Sequence, residues 1–301
     1  MKNVLLTGAS GYLGGYIQAA LEQNGYRVIS VGRANSNQVV CNLATTVPTI
    51  TDKIDWVVHA MGKAHMLPTT EQEARGFFEV NVQGTKNICA ALEQQASIPE
   101  RFIFISSIAV YGVDEGEQID EQAALKGSSP YAKSKIEAEQ FLEKWCSEHK
   151  VDLLVFRLPL VAGAKPPGNL GGMIQGIRNG RYYNIDEGKA KKSVVLAADV
   201  AEAILSTSGI KGTYNLTDGY HPSFAELARI ISQQLGKSEP YNIPSWVALP
   251  AALAGNFLGS RAPLNYHKLR KITATLTFSD QLARKNFGWQ PRKVLEHFKI
   301  E

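Results

Sequence analysis

Short apolar runs alternate with longer stretches of helical periodicity through the first 160 residues. Largely apolar runs of five or six residues predict strands over 3–7, 27–31, 55–60, 101–106 and 152–157, and helical spacing predicts helices over 12–24, 71–95, 130–149 and 199–207. Such alternation argues for an α/β fold, a parallel sheet with helices on both faces. Beyond residue 160 the pattern is more broken. The segment 163–172 is rich in Gly and Pro and reads as a long loop, the kind that in a compact domain is usually functional. Helices are expected over 224–235, 245–258 and 279–286, around a smaller C-terminal region. The stretch 246–258 is apolar, too short to cross a bilayer, and carries Pro250. It reads as a buried helix or an interface, with peripheral membrane contact the alternative. No internal repeat or low-complexity tract is present.

Composition narrows the class. A chain of 301 residues can bury a large core in one or two domains. With 44% hydrophobic and 20% charged residues it has ordinary globular composition. A net charge of +4 makes no case for nucleic acid. Lys189, Lys191 and Lys192 form a basic cluster that could meet substrate phosphates or simply edge a solvated loop. Cys41, Cys89 and Cys146 have no paired spacing, which points to a reducing compartment and no metal site. The N-terminus enters a strand directly, with no signal-peptide pattern, so a cytoplasmic protein without an integral membrane segment is expected.

Two motifs carry chemistry. The first strand runs into Thr7-Gly8-Ala9-Ser10-Gly11-Tyr12-Leu13-Gly14, then a helix, then a second strand. Glycines there let the backbone turn tightly and approach a pyrophosphate, whose charge suits a helix N-terminus. The spacing is Gly-x-x-Gly-x-x-Gly, not the more familiar Gly-x-Gly-x-x-Gly. The second motif is Tyr131-x-x-x-Lys135 at a helix start, behind Ser128, Ser129 and Pro130, residues suited to capping and to the first helical position. Spacing i,i+4 places both side chains on one helix face. A nearby ammonium and the positive helix end both favour tyrosinate, so the pair is expected to make a phenol that exchanges protons near neutral pH.

Together these motifs resemble the short-chain dehydrogenase/reductase superfamily. Val57-Val58-His59-Ala60-Met61-Gly62, Asn81-Val82-Gln83-Gly84-Thr85, Phe104 to Gly112, Ala198-Asp199-Val200-Ala201 and Phe287-Gly288-Trp289-Gln290-Pro291 are similar to landmarks of its extended branch of nucleotide-sugar epimerases, dehydratases and reductases. The resemblance implies a Rossmann-type, doubly wound parallel sheet over 1–160, rejoined at about 190–210. A smaller substrate-binding region would make up most of 161–301. It implies a nucleotide-sugar substrate lying between the two, and a homodimer through the helices near 71–95 and 130–149.

The resemblance also implies residue roles. Tyr131 would exchange a proton with the sugar oxygen, Lys135 would lower its pKa and bind the nicotinamide ribose, and Ser107 would hydrogen-bond the same oxygen. Ser106 is the neighbour most easily confused with Ser107, but alternation along a strand lets only one face the site. Cofactor contacts would come from Gly8, Ser10, Gly11, Tyr12, Leu13, Gly14, Arg33, Asn42, Leu43, Ala60, Met61, Gly62, Asn81, Tyr131, Lys135 and Leu158. Substrate contacts would come from Lys63, Ser107, Tyr131 and Asn169. Asn81 would hold a water or a backbone bend, or cap a helix. His59 and His65 read as structural, and Asp199 as a shaper of the interdomain contact.

Departures from the family pattern are informative. The Asp-Glu pair of the 4,6-dehydratases is replaced by Ile108 and Ala109, which cannot move protons at C5 and C6. The acid that usually binds the adenosine ribose of NAD is missing at the end of the second strand. Gly32-Arg33-Ala34-Asn35 stands there instead, and Arg33 tilts the cofactor to NADP(H), with NAD the alternative. Ala162 stands where many relatives have Tyr. The expected activity is reduction of the C4 ketone of a UDP-4-keto-6-deoxy-hexosamine. The alternatives are an NAD-dependent C4 epimerase and a non-catalytic NADP-binding regulator.

Overall fold

The computed structural model describes residues 1–64, 66–255 and 265–301. His65 and the last three residues of the helix expected over 245–258 lie outside them. Chain order begins β1 (Asn3–Thr7), α1 (Tyr12–Gln23), β2 (Arg27–Gly32), β3 (Val39–Val40), β4 (Trp56–His59), α2 (Glu71–Phe78), α3 (Gly84–Glu93), β5 (Arg101–Ser107), β6 (Gly116–Ile119), α4 (Pro130–His149) and β7 (Asp152–Leu158). It continues with β8 (Leu160–Ala162), α5 (Gly168–Arg178), β9 (Asn184–Ile185), β10 (Val194–Leu196), α6 (Ala197–Ser206), β11 (Gly212–Asn215) and α7 (Phe224–Leu235). Last come β12 (Asn242–Ile243), α8 (Ser245–Gly255), α9 (Tyr266–Thr273), β13 (Leu276–Phe278), α10 (Gln281–Phe287) and α11 (Val294–His297).

Seven strands form one parallel sheet in the order β11-β7-β5-β4-β1-β2-β3, the doubly wound Rossmann-type arrangement. The strands read as unbroken apolar runs because both faces are covered. Val4 and Leu6 point into one core with Ile17 and Leu21 of α1 and Val200 and Ile204 of α6. Leu5 points into the other with Ile88 and Leu92 of α3 and Leu142 of α4. From β1 the chain winds to β2 on one side and β4 on the other. That reversal opens a crevice at the carboxyl ends of β1 and β4.

Local signals account for the helix starts. Ser129 caps α4, its hydroxyl accepting from the Ala132 amide at 3.1 Å, with Pro130 as first residue. Ser223 and Glu226 close a capping box at α7.

Four expectations are corrected. The helix expected over 71–95 is interrupted by a π-helical turn at Glu79–Gln83. The sheet gains two edge strands, β3 and β11, too short to show a period of their own. The expected loop 163–172 gives way to α5 from Gly168: glycine is a weak helix former, but Leu170, Met173, Ile174 and Ile177 bury one face in a core shared with α7. Finally, α8 is not a buried helix. Only Ala248, Ala252 and Gly255 of its residues are buried, the two alanines on a small cluster with Leu269 of α9.

Candidate active site

The glycine turn is built for close approach. Gly8 has φ +76°, and a Cβ there would lie 2.8 Å from the Ala60 carbonyl carbon, at the end of β4. A Cβ on Gly14 would overlap the Gly8 carbonyl oxygen, so α1 can start only because that side chain is absent. Gly11 is the N-cap of α1 and offers no side-chain cap, which leaves first-turn amides free beside exposed Ser10. This is an anion-binding end made of backbone.

Behind the turn runs a buried relay. The Met61 amide donates to Thr7 Oγ1 at 3.2 Å, Thr7 Oγ1 lies 2.7 Å from His59 Nδ1, and His59 Nε2 lies 2.9 Å from Thr85 Oγ1. Thr85 donates to the Asn81 carbonyl at 2.6 Å, so its oxygen accepts from His59. His59 is therefore neutral, protonated on Nε2, and its Nδ1 accepts a hydrogen bond from the Thr7 hydroxyl. Burial first, and Lys135 second, lower its pKa to about 3. The ring stacks on Phe104 and has no access to solvent, which is a structural role.

Asn81 sits inside the π-helical turn and is fully buried. Its Oδ1 accepts from the Lys63 amide at 2.7 Å, and its Nδ2 donates to the Lys63 carbonyl at 3.1 Å and to Ser134 Oγ at 2.8 Å. The Asn81 side chain thus bridges both backbone polar groups of Lys63 and holds the chain in a bend there. The bend carries Gly62 past Lys135: a Cβ on Gly62 would lie 3.3 Å from Lys135 Nζ.

Ser107 ends β5, and its Oγ accepts from the Ala109 amide at 3.2 Å. Ser106 points the other way and donates to the buried carboxylate of Glu139. Strand alternation thus separates the two serines. The Tyr131 ring packs 6.2 Å from Phe77, over which Lys63 Nζ sits at 5.0 Å. Lys135 is buried and donates to the Ile105 carbonyl at 2.8 Å, above the face of Phe104.

The charge balance departs from the expected one. Burial raises the Tyr131 pKa, an interaction with Ser107 working the other way, and no lowering by Lys135 appears. The same burial lowers Lys135 to about 8, with Glu139 opposing. Removal from water outweighs the ammonium, which is spent on Ile105 and Phe104.

The structure brings Gly8, Ala60, Met61, Gly62, Lys63, Asn81, Ser107, Tyr131 and Lys135 together around the crevice. Tyr12 turns its hydroxyl to Gly163 and Leu13 packs on the core. Leu43 and Leu158 are buried in the two cores and offer backbone only. Arg33 and Asn42 are exposed at the outer end of β2 and beyond β3. Asn169 is exposed in the first turn of α5. The basic cluster is divided: Lys189 pairs with Glu187 at 2.9 Å, while Lys192 is partly buried, its pKa lowered to about 8 by burial first. Asp199 is buried and accepts from the Arg292 backbone and guanidinium, tying α6 to the C-terminal segment.

Sequence reasoning missed the support behind the pair. Glu139 binds the Arg157 guanidinium at 2.6 Å, Arg157 Nη1 donates to Tyr111 Oη at 3.1 Å, and Tyr111 donates to Asn215 at 2.8 Å. The available signal was Glu139, four residues after Lys135 on the same face.

A family model described as the NAD dependent epimerase/dehydratase family matches residues 4–215. The chain belongs to that family. Among curated proteins, this family member is 24% identical to the N-acetyl-alpha-D-glucosaminyl-diphospho-ditrans,octacis-undecaprenol 4-epimerase of Escherichia coli O157:H7, over 92% of its own length and 87% of the relative's. It is 32% identical to the decarboxylating sterol-4-alpha-carboxylate 3-dehydrogenase of Dictyostelium discoideum, over 73% and 72%. The fold matches the UDP-glucose 4-epimerase of Thermotoga maritima, crystallised with UDP-glucose, at TM-score 0.75 and 19% identity, covering 98% and 95% of the two chains. This epimerase-family enzyme has a glycine cradle that a Cβ would fill and a bare helix N-terminus, which suits the pyrophosphate of a nicotinamide dinucleotide.

Proposed function

We propose that the enzyme reduces the C4 ketone of a UDP-4-keto-6-deoxy-hexosamine, using NADPH. The observation that carries this reading is the end of β2, where Gly32-Arg33-Ala34-Asn35 offers an exposed guanidinium and no carboxylate, an arrangement suited to a cofactor with a 2′-phosphate that is exchanged at each turnover. Tyr131 would donate the proton that the reduced ketone oxygen needs. Ser107 would hold the ketone oxygen beside the phenol, and Lys135 would supply positive charge as the phenolate forms. The bound nicotinamide cofactor supplies the hydride. The first-turn amides of α1 would hold its pyrophosphate and Lys135 its ribose, while Arg33, exposed and without an ion-pair partner among the described residues, would meet a 2′-phosphate. Lys63 and Asn169 would contact the substrate from the two sides of the crevice. Ile108 and Ala109 argue against dehydration. A C-terminal substrate region over 161–301, a homodimer through α2, α3 and α4, and a cytoplasmic site of action complete the reading.

C4 epimerisation is the second reading, favoured by the Escherichia coli relative. That relative's polyprenol-linked substrate makes a lipid-linked sugar diphosphate worth assaying beside soluble UDP sugars. The test is to identify the cofactor that co-purifies, titrate NADPH and NADH, and follow NADPH oxidation with UDP-4-keto-6-deoxy sugars. Preferential NADPH binding with turnover supports the reductase. Stoichiometric, non-exchanging NAD supports the epimerase. A Tyr131→Phe variant that binds cofactor and loses no function overturns both and leaves a non-catalytic regulator.

A further inference from the structure

We propose that α8 is an interfacial anchor that lays its outward face into a bilayer containing anionic phospholipid. A helix that is apolar all round is normally buried all round. Here the distribution is inverted. The small residues Ala248, Ala252 and Gly255 face the protein, and the bulky ones face out: Trp246 is 77% exposed, Leu253 48%, Val247 43% and Leu249 40%. Tyr241, just before the helix, is 81% exposed. Large aromatic rings at one end of an apolar helix suit a membrane–water boundary, where one part of the ring is apolar and the other meets headgroups.

Charge selects the occupant. No charged residue occurs between Glu239 and Arg261, and no Asp or Glu between Glu239 and Asp280, while Arg261, Lys268, Arg270 and Lys271 all fall in the same stretch. Two acids reach the neighbouring α9 from before β6: Glu115 pairs with Arg270 and Asp114 with Lys271, at 3.3 and 3.7 Å, across exposed positions. Such exposed pairs hold their partners weakly and exchange readily for lipid phosphate. An uncharged helix beside a segment with basic and no acidic residues complements an anionic surface, and eleven residues lie on a bilayer rather than cross it. Because α8 rests on the cluster with Ile185 and Ile243, docking would turn the C-terminal region, and not the large sheet, to the lipid.

The test uses the full chain with vesicles of phosphatidylcholine alone and of equimolar phosphatidylcholine and phosphatidylglycerol. Sedimentation should show binding to the anionic vesicles, weakened by salt. A triple Trp246→Ser, Leu249→Ser, Leu253→Ser variant should bind at least about tenfold more weakly. Brominated lipid should quench the wild-type tryptophan emission. The other three tryptophans, Trp56, Trp145 and Trp289, are buried, so quenching reports Trp246 and decides the matter even if the triple variant fails to fold. Absence of binding, equal binding to neutral vesicles, or unchanged binding by the triple variant overturns the proposal. So does a concentration-dependent dimer that the triple variant loses, which would assign the face to a second copy of the chain.

Discussion

Replacing Lys135 with Met should stabilise the protein near neutral pH while abolishing turnover. The lysine is buried, and moving it from its ordinary 10.5 to about 8 means that its charged form is held in the fold at a cost of about 3 kcal/mol. Methionine removes that cost and fills similar space. It also leaves the Ile105 carbonyl without the 2.8 Å donor and gives up the contact with Phe104, a loss of about 1–2 kcal/mol. The balance is a gain of about 1–2 kcal/mol at pH 7. The pH sign follows from proton counts. Below the folded pKa of about 8 both states hold the proton and the penalty is complete. Between about 8 and 10.5 the unfolded chain holds more protons than the folded one, so wild-type stability rises with pH through that window. Denaturant unfolding of both proteins at pH 7, 9 and 10.5 should therefore show the variant's advantage shrinking and then reversing. A variant less stable than wild type at pH 7, or a difference that does not change with pH, would refute the account of Lys135 as a buried charge retained for function.

Further outcomes follow from the same geometry. Gly14→Ala should cost about 1–3 kcal/mol by denaturant unfolding, because its Cβ overlaps the Gly8 carbonyl, and should remove measurable binding of NADPH. Thr85→Val leaves His59 Nε2–H without an acceptor and should cost about 1–3 kcal/mol. With its pKa lowered to about 3, His59 should show no imidazole titration by NMR from roughly pH 5 to 8. The unfolded histidine gains its proton first, so this site contributes stability that declines as pH falls below 6.5 toward 3. Arg33→Ala should weaken NADPH about ten- to a hundredfold and leave NADH unchanged in a fluorescence titration.

What was legible in the chain was whatever its spacing encodes locally. Gly8, Gly11 and Gly14 between a strand and a helix announce a backbone cradle, because only a missing Cβ allows that approach. Tyr131 and Lys135 announce a shared helix face, and Ser106 against Ser107 follows from alternation along one strand. Continuous apolar runs announced a sheet covered on both faces. The relay from Thr7 through His59 and Thr85 to Asn81 was not legible, since it joins the ends of β1 and β4 to α3 and the π-helical turn through contacts between Thr7, His59 and Thr85 that no local period encodes. The pairing of Glu139 with Arg157 was equally hidden, fixed by α4 packing over β7, although the position of Glu139 on the Lys135 face was open to view.

The sequence by itself determined the doubly wound α/β architecture and the glycine turn, and it nominated Tyr131 and Lys135 as the groups to move a proton. Tertiary structure decided their electrostatics. Local spacing places an ammonium near a phenol and suggests tyrosinate. Burial, which depends on every element packed around the crevice, reverses that sign by withdrawing both groups from water. It also decided the fate of the apolar stretch after Trp246. Periodicity cannot say which side of a helix that is apolar all round meets the protein, and only the packing of Ala248 and Ala252 leaves its large residues facing out.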